Sequence, residues 1–309
     1  MPTDFQLSPL APADHSELAE LLCISLNHWH QTHGRGPIFP SPEACNYFAQ
    51  IYEALDPGCC ITARHARTQR LAGACFYHPR PTHVSLGIMA VHPNYAGQGV
   101  ARDLLKFITD LADRRNLPTR LISSAINLDS FSLYNRAGFV PRCIYQDMVL
   151  HTTATGLPPL SAGDLEIRPA TAADIPAIVA LESELVGIQR PQDYHFFLNP
   201  QSPGQWHLAL AFKAGRLHGF LAALLSARNV TVGPGLCHDA DSAGPLLHFV
   251  LNHFPDRRAL ILAPCDQPAL TRLLYSWGAR NVEIHVAQVR GRGQPFGGIT
   301  FPTFMPESA

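Results

Sequence analysis

The feature that most constrains the fold is a faint internal repeat. Residues 5–14 and 165–174 share one pattern at a constant shift of 160 residues (from 5 to 165, and from 14 to 174). Each copy has apolar residues alternating along a short strand, then a proline, then Ala-Asp. The aspartate, Asp14 or Asp174, can cap the following helix with its carboxylate. The repeat predicts two tandem domains of one fold, at residues 1–150 and 164–309.

The order of elements within each half predicts an α/β fold with a mixed sheet. Residues 151–163 are rich in turn formers and lack periodicity, so they are interpreted as the linker. Strands come first in each half and then alternate with helices, which is typical of a mixed sheet with helices on both faces. The predicted strands of the first half are 59–65, 71–78, 83–91, 121–126 and 143–150, with helices at 100–115 and 130–137. Those of the second are 206–212, 217–226, 230–232, 260–263 and 282–289, with helices at 243–253 and 268–277.

The composition excludes several classes of protein. Apolar residues make up 46% of the chain, enough to fill packed cores. The 23 Lys+Arg nearly balance the 24 Asp+Glu, so no net field attracts nucleic acid. The eight cysteines include no CxxC pair, which disfavours a disulfide framework and a structural zinc site. Because no apolar run approaches the ~20 residues that span a bilayer, we expect a soluble cytoplasmic protein without a membrane partner.

The segment at residues 85–105 carries the first chemical signal. A strand runs into a glycine-bearing turn, and the turn runs into a helix. The first turn of a helix presents unpaired N–H groups and partial positive charge. Gly97 and Gly99 remove side chains that would keep a phosphate from the backbone. The pattern predicts an anion cradle, although two glycines before a helix also form ordinary tight turns.

A second segment, at residues 127–139, follows at a fixed distance. Together the two segments resemble the GNAT superfamily of acyl-CoA N-acyltransferases. The cradle motif [QR]-x-x-G-x-[GA] falls on Ala96, Gly97, Gln98, Gly99, Val100 and Ala101, and the motif N-x-x-A-x-x-x-Y-x-x-x-G-F falls on Asn127, Ser130, Tyr134, Gly138 and Phe139. Ala96 and Ser130 depart from the pattern, at positions where the family prefers Arg or Gln and Ala. The resemblance implies two tandem GNAT-like domains, and Ala96 predicts weaker binding of coenzyme A.

The resemblance also implies roles for individual residues. The backbone of Met89, Ala90 and Val91 would pair with the pantetheine arm of acetyl-CoA, and residues 96–101 would hold its pyrophosphate. Asn127, with Ser130 in the same motif, would bind the pantetheine, and Tyr134 would stand beside the sulfur as the general acid. The implied reaction is direct attack of a primary amine of a small acceptor on the thioester, with acetyl-CoA as co-substrate and no metal.

The general base and the acceptor pocket are less well defined. The predicted strand ending at Val91 carries no carboxylate, so a water-relayed base is expected, with His83 as a participant. The run from His28 to His33 lacks the i, i+4 spacing of paired metal ligands. It is placed after the first helix, where the family builds its acceptor pocket, and Trp29, His30 and His33 are candidates to line that pocket.

The second half has lost both motifs. Asp239 and Asp241 fall where the cradle would lie, and carboxylates there satisfy a helix dipole and repel a pyrophosphate. Leu274 stands opposite Tyr134, with Tyr275 one place away. The second domain is therefore predicted to have lost coenzyme A binding and to cover the acceptor side or shape the substrate pocket.

Two alternative functions for the chain remain open: a non-catalytic acyl-CoA-binding regulatory module, and a scaffold in which both domains are relics.

Overall fold

A computed structural model describes residues 4–226, 229–304 and 307–308. Its contacts divide the chain into two compact units. The N-terminal unit comprises Met1–Pro79 and Val84–Thr119, and the C-terminal unit comprises Arg80–His83 and Arg120–Ala309. The domain limits expected from the sequence, at 1–150 and 164–309, stay a prediction, and their outer ends fall on residues outside the described part of the chain.

The N-terminal unit contains a small antiparallel sheet and three α-helices. Its elements are β1 (Phe5–Pro9), α1 (His15–Thr32), α2 (Asn46–Leu55), β2 (Cys60–His65), β3 (Leu71–Pro79), β4 (Val84–Val91) and α3 (Val100–Arg114). The strands pair in the order β1-β2-β3-β4. Residues 71–76 of β3 are all buried. Because successive strand residues point to opposite faces, both faces of β3 are covered, and α1 and α3 pack on it.

Helix α1 corrects two expectations. It extends to Thr32, so the run from His28 to His33 lies in and just after its last turns rather than after the helix. No glycine or proline interrupts residues 15–33, and helical bonding continues until Gly34, at φ +72°. Asp14 does not cap α1, because its backbone is already helical and its carboxylate pairs with Arg64 at 2.9 Å.

The C-terminal unit holds the remaining elements. They are β5 (Thr119–Ser124, of which Thr119 belongs to the other unit), α4 (Leu128–Arg136), β6 (Val140–His151), β7 (Leu165–Pro169), α5 (Ile175–Val186), α6 (Pro191–Leu198), β8 (Gln205–Lys213), β9 (Arg216–Leu225), β10 (Val230–Cys237), α7 (Ala240–Asn252), β11 (Arg258–Pro264), α8 (Pro268–Ser276), β12 (Arg280–Arg290), β13 (Ile299–Phe301), β14 (Thr303–Phe304) and β15 (Glu307–Ser308). The predicted alternation of strands and helices is confirmed, while α2, α6 and β13 were not predicted.

Asp174 also fails to cap α5, because its carboxylate accepts the Thr171 N–H instead.

The two closing strands of the repeats are exchanged. The strand order in this unit is β5-β12-β6-β11-β10-β9-β8-β7. Strand β6, which closes the first repeat in sequence, pairs with both β12 and β11, and β12 lies between β5 and β6. Each closing strand therefore lies beside the fifth strand of the other repeat. This exchange explains why residues from Arg120 onward group with the second repeat.

The predicted linker is held in place. Thr152 donates its hydroxyl to the Phe254 carbonyl at 2.8 Å, and the Leu157 N–H donates to Asn252 Oδ1 at 2.7 Å. The Leu157 side chain is buried in the core of this unit, which α7 and α8 form against the sheet. Among the described residues, no helix is both long and apolar enough to cross a bilayer.

His207 makes the stability of the fold depend on pH. It lies on β8, and its ring stacks on His253 with centroids 3.8 Å apart. Burial first, and then the His253 charge, lower the pKa of His207 from 6.5 to about 4. The unfolded chain binds this proton more readily, so His207 destabilises the fold as pH falls from about 6.5 towards about 4.

We expect His207→Gln to flatten the pH dependence of the free energy of unfolding between about pH 4 and 6.5. Urea unfolding at several pH values measures this, and the exposed His28→Gln is the matched control. An unchanged slope in the His207 variant would contradict the assignment.

Candidate functional site

Strand β4 carries a bulge where the sequence places the acyl group. Leu86 pairs with Tyr77 and Met89 pairs with Cys75, so two residues of β4 lie opposite one of β3. A bulge bends a strand and re-aims its backbone groups. The strand then continues through Met89, Ala90 and Val91, and the Ser25 hydroxyl of α1 donates to the Val91 carbonyl at 3.0 Å.

The loop after β4 leads into α3, whose N-terminus has no side-chain cap. Gly97 and Gly99 have φ of +75° and +90°, which glycine adopts without strain. Gly99 is the N-cap residue of α3 and supplies no side chain to the first turn. Within the described chain, Asp103 is the first helical residue whose N–H reaches a carbonyl, that of Gly99 at 3.0 Å. The N–H groups before it, together with the helix dipole, form a site for an anion.

The surroundings of this N-terminus are open. Ala96, Gly97 and Gln98 are exposed, and a Cβ atom built on Gly97 meets nothing within 4 Å. Gln98 donates its side-chain amide to the Asn94 carbonyl at 3.0 Å and so braces the loop. Val100 is buried and anchors the helix, while Ala101 is half-buried. The predicted cradle is thus accessible at its loop and fixed at its base.

The sequence motifs did not indicate a role for Arg102 at the cradle. Its guanidinium lies against Gly99: a Cβ atom built there would be 2.7 Å from Arg102 Nη2. Its Nε donates to Asp103 Oδ1 at 3.1 Å, and the side chain is 67% exposed. A basic residue in the first turn of a cradle helix was the available signal. Arg102 places a cation at the cradle where Ala96 offers none.

The second motif builds α4 in the C-terminal unit. Asn127 is the N-cap residue of α4, and its Oδ1 accepts the Ser130 N–H at 3.1 Å. The Phe139 N–H returns to the Tyr134 carbonyl at 3.0 Å through Gly138, whose φ is +89°. The Tyr134 side chain is 5% exposed. The motif spacing therefore has a structural basis, since it caps one end of the helix and closes the other.

The base candidate His83 is almost fully buried. It is 1% exposed, and its Nδ1 lies 3.1 Å from the Thr82 hydroxyl. Ser85, further along the strand, is also buried. The proton-transfer role of His83 stays a prediction.

The predicted acceptor residues form an aromatic group at the end of α1. Trp29 stacks on His33 with centroids 4.3 Å apart and meets His30 edge-on at 5.1 Å. His33 is exposed, and Trp29 and His30 are half-buried. Their acceptor role stays a prediction. In the described part of the chain no group of three or more His, Cys, Asp or Glu side chains is placed to hold a metal.

A buried His–Asp pair was also missed. His78 Nδ1 and Asp56 Oδ2 are 2.5 Å apart, and the His78 ring stacks on Tyr52 of α2. The pair ties the end of α2 to β3. The sequence carried no signal for it, because α2 itself was not predicted.

In the second repeat, the chain's own residues occupy the positions that correspond to the cradle, the bulged strand and Tyr134. Asp239 is the N-cap residue of α7 and accepts the Ser242 N–H at 2.8 Å, which confirms that a carboxylate occupies this helix N-terminus. Strand β10 also carries a bulge, between Val232 and Gly235. Before the bulge β10 pairs with β11, and after it residues 235–237 pair with β13. Leu274 is buried in the core and Tyr275 donates its hydroxyl to Gln146 Oε1.

Comparisons with known proteins agree with this geometry. Residues 24–139 match the acetyltransferase (GNAT) family. A Pyrococcus horikoshii protein provisionally assigned as an acetyltransferase shares 14% identity and a TM-score of 0.72, over 99% of this chain and 96% of its own. A GCN5-related N-acetyltransferase of Sphaerobacter thermophilus shares 18% identity and a TM-score of 0.65, over 94% and 96%. A tandem GNAT protein from the clavulanic acid biosynthesis pathway shares 16% identity and a TM-score of 0.60, over 92% and 98%.

The family match covers residues 24–139, in the first repeat, and the solved structures show the GNAT fold across both repeats. The comparison with curated proteins gives no match. At these identities the solved structures establish the fold, and the activity is argued from the site.

The cap role of Asn127 gives a prediction for stability. We expect Asn127→Ala to lower the free energy of unfolding by about 1 kcal/mol, because the Ser130 N–H loses its acceptor. Asn127→Asp keeps an acceptor and should retain most of the stability. Urea unfolding of the two variants measures the difference, and equal losses would show that the cap does not stabilise α4.

Proposed function

We propose that this protein transfers an acetyl group from acetyl-CoA to a primary amine of a small acceptor. The match of residues 24–139 to the acetyltransferase (GNAT) family supports acyl transfer in general. The observation that carries the proposal is the glycine N-terminus of α3, uncapped by any side chain and preceded by a bulged strand. That arrangement suits a bound pyrophosphate followed by an extended pantetheine arm.

The residues present fit acetyl-CoA at the cradle. The backbone of Gly97, Gln98, Gly99, Val100 and Ala101 would hold the pyrophosphate, with Arg102 as a neighbouring cation. Ala96 lines this loop without contributing a polar group. The backbone of Met89, Ala90 and Val91 would pair with the pantetheine, and Asn127 and Ser130 complete the proposed binding set.

The chemistry needs three groups. A backbone N–H stabilises the oxyanion formed when the amine attacks the thioester carbonyl. The thiolate then leaves, and the phenol of Tyr134, with a reference pKa near ~10, gives it a proton. The amine must be neutral to attack, and a water relay that includes His83 is proposed to remove its proton. No metal takes part in this scheme.

The acceptor is proposed to be small and to contact Trp29, His30 and His33. A formal net charge of −1 offers no strong field for docking a nucleic acid or another highly charged macromolecule. All eight cysteines are free thiols, in keeping with the proposed cytoplasmic location.

The second repeat is proposed not to bind coenzyme A. The Asp239 carboxylate already satisfies the first turn of α7, and its charge would repel a pyrophosphate. Strand β13 also pairs with the edge of β10 that a pantetheine arm would need. One acetyl-CoA per chain follows from this proposal.

A non-catalytic acyl-CoA-binding module is the second candidate. Two observations favour it: Ala96 contributes no polar side chain to the cradle loop, and β4 carries Ser85 and Gly87 but no carboxylate that could serve as the base. Such a module would bind acetyl-CoA without turnover.

The role of Tyr134 separates the two candidates. We expect Tyr134→Phe to lower kcat by roughly 100-fold or more while the Kd for acetyl-CoA stays unchanged, because a general acid contributes on this scale. Tyr275→Phe, at the corresponding region of the second repeat, is the control and should keep full turnover. Acetylation of an amine library followed by steady-state kinetics measures this. Binding of acetyl-CoA with no turnover of any amine by the wild-type protein would favour the regulatory module.

The Ala96 departure predicts a gain of function. Ala96→Arg restores the family's cation, and we expect it to tighten acetyl-CoA binding by about threefold to tenfold. Ala66→Arg adds the same charge at an exposed turn of the same unit and should leave the Kd unchanged. Fluorescence or calorimetric titration measures both. Equal tightening in the two variants would mean that net charge, rather than the cradle, determines the affinity.

A further inference from the structure

Five charged side chains are buried together in the C-terminal unit. None is more than 5% exposed, and they are Arg80, Arg120, Glu182, Arg190 and Asp193. Two ion pairs account for four of them. Arg80 Nη2 lies 2.5 Å from Asp193 Oδ1, and Arg190 Nη2 lies 2.6 Å from Glu182 Oε1.

Arg120 is left over from this pairing. Glu182 is the carboxylate whose charge acts on Arg120, and its Oε1 already accepts two hydrogen bonds from Arg190. Arg120 Nη1 donates only a long bond, 3.3 Å, to the Val186 carbonyl, and the guanidinium lies over the Phe296 ring. At this point two buried cations, Arg120 and Arg190, thus share one buried carboxylate, Glu182, and an unpaired buried charge is strongly unfavourable.

Loss of a proton from Arg120 does not remove the excess charge. Burial first, and then the neighbouring Arg190, lower the pKa of Arg120 to about 10. A group with that pKa remains a cation at neutral pH. Compensation must therefore come from a negative charge.

A small cavity lies at this excess charge. Its volume is about 20 Å³, room for a single group the size of a water molecule. Arg120, Arg190 and Glu182 line it together with Tyr145, Gly235 and Thr300, and apolar side chains form much of the rest. Arg120 Nε and Arg190 Nη1 are buried and have no hydrogen-bond acceptor among the described residues. Glu182 Oε2 is likewise buried without a donor among the described residues. A water molecule would accept from the guanidinium groups and could donate to this oxygen, but it would leave the charge uncompensated.

We propose that the C-terminal unit binds one monovalent inorganic anion of the size of chloride, held between Arg120 and Arg190. Strand β13 and the Pro302 that follows it form part of the cavity wall. The cavity is too small for a phosphate or a carboxylic acid of several carbons. This structural anion site is independent of acetyl transfer. It lies beside the β10 bulge of the second repeat.

Anion-dependent stability tests the proposal on the intact chain. At constant ionic strength, replacing sodium gluconate by sodium chloride should raise the Tm of the wild-type protein by roughly 4 °C or more, saturably. Arg120→Met removes the excess cation, and it should abolish the chloride response without lowering the Tm in gluconate. Arg216→Met, at an exposed position on β9, should keep the full response.

Bromide in crystals of the wild-type protein locates the ion directly. An anomalous peak within about 3.5 Å of Arg120 Nε is the expected result. This measurement decides the question even if Arg120→Met fails to fold. Equal Tm values in chloride and gluconate, a chloride response that persists in Arg120→Met, or a cavity without a bromide peak would each overturn the proposal.

Discussion

A helix must find acceptors for the N–H groups of its first turn, and the two repeats of this protein meet that need in opposite ways. Helix α3 begins at Gly99, which has no side chain, and its loop is open to solvent. Helix α7 begins at Asp239, whose carboxylate accepts the Ser242 N–H. The first arrangement leaves the partial positive charge for a ligand, and the second neutralises it within the chain. The assignment of one working site per chain depends on this contrast.

The strands before these helices show the same division. Both β4 and β10 carry a bulge, so the geometry that re-aims backbone groups is kept in each repeat. In the second repeat, however, β13 pairs with β10 beyond its bulge. Strand β13 of the same chain thus takes up backbone groups that an extended ligand would need. Loss of the cradle charge and occupation of the strand edge are two separate obstacles to coenzyme A in that repeat.

The sequence predicted much of this because the deciding residues act locally. Gly97, Gly99 and Asp239 act within one helical turn. The glycine turn before α3 and the carboxylate at the start of α7 were predicted and are observed, while pyrophosphate binding stays a prediction. The exchange of β6 and β12 was not predicted, because the residue pattern of a strand does not specify its neighbours, which long-range pairing decides. The capping role of Asp14 was wrong since its partner, Arg64, is distant in sequence. For the same reason no pattern indicated the buried Arg120.

The most direct test of the account is the stoichiometry of acetyl-CoA binding, measured by calorimetric titration into the intact protein. The account predicts a single site per chain. Asp239→Ala removes the carboxylate from α7, and the account predicts that it leaves this count at one, because β13 still pairs with β10. Two sites in the wild-type protein would contradict the loss of binding in the second repeat. No binding at any accessible concentration would contradict the assignment of the α3 N-terminus as a coenzyme A cradle.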